Sequence, residues 1–123
     1  MRKVLVLAAA GLGLFATSAN AMTVAEFLAK ANALKAKGMM AAFSSDIGLL
    51  KGEMAGITAA YRADIERARA AGRKPHSCPP PKGQAKMGSN EFIAELEKIP
   101  AARRGISMKQ AFYGMMARKY PCP

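Results

Sequence analysis

The sequence predicts a small all-α protein, a bundle of four to five helices with one disulfide, preceded by a cleaved signal peptide. Three observations support this prediction. An export signal occupies residues 1–21, the remainder holds only two cysteines, Cys78 and Cys122, and the apolar residues of that remainder recur every three or four positions. No stretch of useful length alternates apolar and polar residues as a half-buried strand does.

The first segment has the parts of a secretory signal. Two basic residues precede an apolar run at 4–15, and the small residues Ala19 and Ala21 suit signal peptidase. As a helix this run would span about 18 Å, short of the roughly 30 Å hydrocarbon core, so a retained anchor is the weaker alternative. No later segment is apolar enough to span a membrane. We therefore expect a soluble periplasmic or secreted protein with a single helical domain at 22–123.

Two cysteines far apart in an exported chain predict a disulfide, because an oxidising compartment favours pairing. A bond between Cys78 and Cys122 would close a loop of roughly 45 residues, which a chain-entropy argument values at about 4 kcal/mol. That stabilisation matters because a chain of this length buries a modest core. Redox catalysis would favour a close pair separated by two residues, a spacing that the chain lacks.

The chain is strongly basic. Its formal charge of +11 falls to +9 once Arg2 and Lys3 leave with the signal, since 17 of the 19 basic residues then stand against 8 acidic ones. This excess predicts attraction to anionic envelope polymers or to an acidic protein partner, with a strong salt dependence. Nucleic acid is disfavoured by the exported location and by the lack of aromatic residues within a basic patch. A solvated basic surface without a specific ligand is the alternative.

Two helices are predicted in the N-terminal half. Thr23 and Glu26 have the spacing of a capping box, and apolar residues follow at helical intervals up to Gly38. A longer helix begins near Ile47, after polar capping residues, and ends at Gly72. Its predicted apolar face consists of Leu50, Met54, Ile57, Tyr61, Ile65 and Ala68.

A row of small residues runs along the second helix. Gly48, Gly52 and Gly56 lie four positions apart, and Ala60 continues the row. Each glycine costs a helix about 1 kcal/mol relative to alanine, so the row predicts close packing of another helix that offsets this cost. The neighbour is either a helix of the same chain, which we favour, or a second subunit, which would make the protein a homodimer. Charged residues nearby exclude the membrane form of such a row.

A proline-rich connector is predicted at 72–88. Three successive prolines follow Cys78 and favour an extended segment on the surface. Ser89 can cap a third helix, which Pro100 ends, and Ser107 opens a fourth helix with a second capping-box spacing. The apolar residues assigned to these two helices are Phe92, Ile93, Leu96, Ile99, Met108, Phe112, Met115, Met116 and Tyr120.

The histidine and the methionines offer weak candidates for chemistry. His76 lies near Cys78, but a disulfide would consume the thiol and leave too few ligands for zinc and no free nucleophile. Eight of the nine methionines remain after processing, and thioether sulfur suits Cu(I). The helical spacing of Met54, Met108 and Met115 instead favours ordinary core packing.

Three carboxylates, Glu91, Glu95 and Glu97, fall on the short third helix. No second acidic group is placed to form an acid and base pair across a cleft, so a solvated face is favoured. Phosphate-binding glycine loops and catalytic triad signatures are absent from the sequence. We therefore predict a protein without enzyme activity, metal or cofactor.

The C-terminal half has a pattern shared with a known family. A cysteine followed by prolines at 78–81 precedes an amphipathic helix ending at 99–100, a helix opened by Ser107, and a Tyr-Pro-Cys-Pro terminus at 120–123. This order resembles the Rap/Tai family of type VI secretion immunity proteins. The Gly-Leu-Leu-Lys-Gly stretch at 48–52 is similar to the Gly-Tyr-Ile-x-Gly stretch of that family.

The resemblance implies an all-helical periplasmic protein, commonly dimeric, that binds a peptidoglycan-cleaving amidase effector and occludes its active site. Two departures stand out. Family members usually carry a second cysteine pair, one of whose cysteines corresponds to Asp46 here, and the tyrosine of the glycine-bounded stretch is Leu49. The resemblance therefore transfers the C-terminal fold better than effector recognition, and it assigns no inhibitory contact to a numbered residue.

Two other functions are open. A small envelope stress chaperone would be similarly short and helical, and would expose apolar surface when acid protonates its carboxylates. A basic adaptor would dock on an anionic envelope polymer, with steep salt dependence. The candidate residues for that docking are Arg62, Arg69, Arg73, Lys74, Lys82 and Lys86. An immunity protein should instead bind one effector tightly, and a chaperone should bind many clients at low pH.

Overall fold

The computed structural model describes residues 21–84 and 87–123, so the predicted signal peptide lies outside the described residues except for Ala21. The all-α class is confirmed over these two ranges, which contain no strand beyond an isolated bridge between Thr23 and Ser107. The helices are α1 (Val24–Lys37), α2 (Ser45–Ala70), α3 (Ser89–Glu97) and α4 (Met108–Lys119), with 3-10 helices at Gly38–Phe43 and Ala101–Arg103.

Local signals at both ends of α1 act as the sequence predicts. The Thr23 hydroxyl accepts a hydrogen bond from the backbone N–H of Glu26 at 3.1 Å, which satisfies one of the unpaired donors of the first turn. At the other end Gly38 adopts φ of 57° and ψ of −127°, a conformation that glycine reaches without a Cβ penalty. The chain leaves α1 there and enters the 3-10 helix Gly38–Phe43.

The long helix α2 begins slightly earlier than Ile47, where the sequence places its start. The Ser44 hydroxyl caps it by accepting from the N–H of Asp46 at 3.3 Å. Its end follows the prediction, because Gly72 has φ of 68° and the N–H of Arg73 donates to the carbonyl of Ala68 at 2.8 Å. That backbone pairing is the Schellman pattern that commonly stops helices at a glycine.

The third helix has a different cap from the predicted one. Gly88 is the capping residue and Ser89 is the first helical residue, so the expectation that Ser89 caps α3 is wrong by one position. Ser107 does cap α4, since its hydroxyl accepts from the N–H of Gln110 at 3.1 Å. Between them, the guanidinium of Arg104 donates to the carbonyls of Glu97 and Ile99, both at 2.9 Å. Arg104 therefore satisfies carbonyls that the end of α3 leaves unpaired.

The starts of α1 and α4 are joined through the backbone. The N–H groups of Val24 and Ala25 donate to the carbonyls of Ile106 at 3.0 Å and Arg104 at 2.9 Å, while the N–H of Met108 donates to the carbonyl of Met22 at 2.8 Å. Donors that α-helices normally leave unsatisfied are therefore paired between two elements far apart in sequence. This junction sets the position of the first helix against the last.

One apolar core joins all four helices. Its members are Val24, Phe27, Leu28, Ala31, Ile57, Tyr61, Ile65, Leu96, Met108, Ala111, Phe112, Met115 and Met116. Aromatic rings meet edge to face within it, with the centroids of Tyr61 and Phe112 5.3 Å apart. Met108 and Met115 are core residues as predicted, whereas Met54 is only half-buried at the edge. The methionines of the core thus have a packing role.

The predicted disulfide is present. Cys78 and Cys122 are bonded with a Cα to Cα distance of 4.9 Å, and the N–H of Cys78 donates to the carbonyl of Tyr120 at 2.8 Å. Residues 73–80 of the proline-rich connector contain no helix, as expected. The bond ties this connector to the end of α4. Within the described ranges, none of the helices combines the length and apolar character that crossing a membrane requires.

Candidate partner-binding surface

One end of the bundle leaves large apolar side chains in water. In the turn between α1 and α2, Met39 is 94% exposed, Phe43 85% and Met40 65%, and Leu49 in α2 is 53% exposed. We call these four residues the apolar end. The sequence indicates that this stretch is apolar but does not reveal that it is exposed. Large apolar groups left exposed together are typical of protein interaction sites.

An open groove lies between α1, α2 and α3. Its volume is about 430 Å³, and side chains of all three helices line it. Most of the lining side chains are apolar, and many are only half-buried. The lining residues are Phe27, Ala31, Leu34, Lys35, Ile47, Leu50, Lys51, Met54, Ser89, Asn90, Phe92 and Ile93.

The glycine row of α2 does not pack inside the chain. A Cβ built at Gly48, Gly52 or Gly56 meets no atom of the described residues within 4 Å, and all three positions are exposed. The favoured expectation is that a helix of the same chain covers this row of glycines. Among the described residues no helix does so, and the expectation is wrong for them. The physical reason is that α1 packs on the opposite face of α2, where Ile57 and Tyr61 are buried.

Beneath the connector lies a buried polar cluster. The hydroxyls of Tyr61 and Ser77 are 2.6 Å apart, and both side chains are almost completely excluded from solvent. His76 extends the cluster, since its Nδ1 is 3.1 Å from the Ser77 Oγ and its ring stacks on that of Tyr113 with centroids 4.8 Å apart. These contacts hold the connector against α2 and α4.

A serine beside a histidine invites a catalytic interpretation, which the burial of Ser77 opposes. A nucleophilic hydroxyl must reach a substrate, and the Ser77 side chain is 0% exposed. Its hydroxyl is held by Tyr61 as well as by His76. The neighbouring Cys78 is bonded to Cys122, so it offers no thiolate with which His76 could form a catalytic pair. The cluster is structural in this conformation.

A second polar contact joins α2 to α4. The Tyr113 hydroxyl donates to the Asp64 carboxylate at 2.6 Å. This hydrogen bond holds the pKa of Asp64 below its ordinary value, and the guanidinium of Arg67 at 3.0 Å acts in the same direction. Burial of the Tyr113 side chain, together with the adjacent carboxylate, raises the pKa of Tyr113 far above its usual range. Both pKa shifts keep Asp64 ionised and Tyr113 protonated, which are the states that form this hydrogen bond.

The cationic residues proposed for anion docking do not act as one set. Arg62 is half-buried and donates to the carbonyl of Pro80 at 3.1 Å, so part of its guanidinium helps to hold the connector against α2. Arg69 lies 3.4 Å from the Glu66 carboxylate on the same helix. Three further members of the set, Arg73, Lys74 and Lys82, are exposed. The last member, Lys86, lies outside the described residues.

The carboxylates of α3 pair with cations at the surface. Glu91 accepts from Lys119 of α4 at 3.4 Å, and Glu95 pairs with Lys98 one turn away. The hydrogen bond from Lys98 holds the pKa of Glu95 below its ordinary value. Among residues 21–84 and 87–123, no three metal-ligating side chains of the histidine, cysteine or carboxylate type lie together.

The groove, the role of Arg104 and the burial of Ser77 are absent from the sequence interpretation. The groove could have been suspected, because the predicted apolar faces of the first three helices contain more apolar residues than a small core covers. Nothing local marks Arg104 or Ser77. No family model, characterised protein or solved structure matches this chain. Function must therefore be inferred from the exposed surfaces of the protein and from the sequence pattern of its C-terminal half.

Proposed function

We propose that this protein works in the periplasm by binding another protein, and that it neutralises a peptidoglycan amidase effector by occluding the active site of that enzyme. The observation that carries the proposal is the apolar end. A small, strongly basic chain that exposes Met39 and Phe43 almost fully bears a surface that water penalises and a partner could cover. Occluding the active site of an enzyme requires a complementary surface and no catalytic group.

The choice of an amidase as partner is supported by the resemblance to the Rap/Tai immunity proteins in the C-terminal half. The all-helical fold and the disulfide fit what that resemblance implies. At the position where those proteins have a second disulfide, the Asp46 carboxylate lies 3.4 Å from the Lys30 ammonium group, an ion pair between α2 and α1. This pair can restrain α1 against α2, although a partly exposed ion pair contributes only about 0.2–1 kcal/mol.

The test is inhibition of a peptidoglycan amidase encoded beside this gene, and a neighbourhood that encodes no secreted hydrolase would count against the proposal. We expect the purified protein to bind that enzyme tightly in a defined ratio and to stop peptidoglycan cleavage. The double substitution Phe43→Ser with Leu49→Ser should weaken inhibition at least tenfold, because it removes apolar contact area. Ala101→Ser, at another exposed site, is the matched control and should leave inhibition unchanged. An amidase that cleaves at full rate under a tenfold molar excess of the protein would refute the proposal.

The same exposed side chains also fit a stress chaperone, which makes this the second candidate. A chaperone would suppress aggregation of several unrelated unfolded proteins, most strongly at low pH, and would show no preference for one enzyme. Binding to an anionic envelope polymer that disappears with added salt would instead favour the adaptor function. Measuring amidase inhibition, client aggregation and polyanion binding on one preparation separates the three.

A further inference from the structure

The groove is lined by side chains of three helices, α1, α2 and α3. α1 packs against both α2 and α3. Ile47, Leu50 and Met54 of α2 recur at the spacing of one helix face and form one wall. A partner helix that fills this groove would contact residues of all three helices, as in other complexes in which a helix binds in a groove.

The lining of the groove is apolar surface that folding leaves incompletely covered. Leu34, Leu50 and Met54 are half-buried, as are Phe92 and Ile93 on the α3 side. Burying this surface is favourable for any apolar occupant. Flexible side chains such as Met54 can adapt to the occupant, as methionines do at protein-binding surfaces.

Two cations at the rim determine which occupant fits. Lys35 of α1 and Lys51 of α2 line the groove and are exposed, and neither forms an ion pair with the residues that the structure describes. No carboxylate is among the described residues that line the groove, and three carboxylates of the surrounding helices already have partners. Asp46 pairs with Lys30, Glu91 pairs with Lys119, and Glu53 accepts the N–H of Met22. The rim therefore offers positive charge without matching negative charge.

From this combination we infer that the groove binds an amphipathic helix of the protein partner, one whose apolar face is bordered by carboxylates. The inference rests on the proposed protein-binding function and names the site and chemistry of the contact. Apolar side chains at intervals of three and four residues would fill the groove, and acidic residues beside them would meet Lys35 and Lys51. A single alkyl chain is disfavoured because the open groove would leave much of it in water.

The probe is a labelled 18-residue synthetic helix with leucines along one face and glutamates on both sides of that face. A matched peptide carries lysines in place of the glutamates. Fluorescence anisotropy with the purified protein should show the acidic peptide binding at least tenfold more tightly than the basic one, by a margin that shrinks as salt is added. Equal binding of the two peptides, or displacement of the acidic peptide by dodecanoate at lower concentration than by unlabelled peptide, would overturn the inference.

Reversing the charge of the two groove lysines tests whether the peptide binds in the groove. The variant Lys35→Glu with Lys51→Glu should lose roughly tenfold in affinity for the acidic peptide and gain affinity for the basic one, since attraction at two exposed positions becomes repulsion. The control Arg103→Glu with Lys109→Glu changes the net charge equally at exposed positions that do not line the groove, and it should leave the preference unchanged. Equal losses in both variants would show a nonspecific charge effect and refute the groove as the site.

The amidase assay separates the two proposals. If the Lys35→Glu, Lys51→Glu variant inhibits the amidase as well as the unmodified protein does, the proposed function stands and the partner contacts another surface. If the peptide preference reverses as expected but the unmodified protein inhibits no amidase, the groove assignment stands and the immunity function falls. Urea unfolding of each variant checks that folding is intact.

Discussion

The buried contact between Tyr61 and Ser77 makes a sharp prediction about stability. Their hydroxyls are 2.6 Å apart in a site from which solvent is excluded. Ser77→Ala removes one partner and leaves the Tyr61 hydroxyl buried without a hydrogen bond, which costs about 1–3 kcal/mol. Tyr61→Phe should cost less, about 1 kcal/mol, because the Ser77 hydroxyl keeps its contact with His76 at 3.1 Å.

Double-mutant analysis tests the contact itself. The combined variant Tyr61→Phe with Ser77→Ala leaves neither hydroxyl unpaired, so its cost should be smaller than the sum of the single costs by about 0.5–2 kcal/mol. Urea unfolding of the oxidised protein gives the free energies, and thermal unfolding should show shifts of about 4–8 °C per kcal/mol for a domain of this size. Additive effects, or single variants as stable as the unmodified protein, would show that this hydrogen bond does not hold the connector.

Two further predictions concern α2. Gly52→Ala should stabilise the protein by about 1 kcal/mol in urea unfolding, because the position is helical and no described atom lies near the added methyl group. Destabilisation, together with loss of a dimer in sedimentation, would contradict this prediction and would indicate that a second subunit packs on the glycine row. The lowered pKa of Asp64 contributes stability that is present above its ordinary value of 3.8 and is lost as the pH falls through the lower folded-state value. Tyr113→Phe should raise the pKa of Asp64 and reduce this acid dependence, which carboxyl NMR titration measures; an unchanged titration would refute the pairing.

Helix positions could be predicted because their signals are local. Thr23 and Ser107 each accept from an N–H three residues ahead, and Gly38 and Gly72 take positive φ values where α1 and α2 end. Each of these interactions involves neighbours in sequence, so the pattern of residue types is enough to indicate it. The one displaced cap, at Ser89, falls where the preceding Gly88 also suits the capping position.

Surfaces could not be predicted with the same success. A glycine row indicates that close packing is allowed, but whether a helix packs there depends on how α2 is turned, and α1 covers its other face. Similarly, Arg62 has the charge expected of an anion-binding residue, yet the path of the connector brings the carbonyl of Pro80 within hydrogen-bond distance. In both cases the outcome depends on a segment distant in sequence.

The sequence by itself determined the helical class, the caps of α1 and α4, the apolar faces and the pairing of Cys78 with Cys122, because each follows from residue spacing or from there being only two cysteines. Only the tertiary structure decided that Ser77 is buried, that Arg104 closes the end of α3, and that an apolar groove with lysines at its rim remains open. These features arise where separate helices meet. Helix orientation is set by the packing of the whole core, which no local pattern encodes.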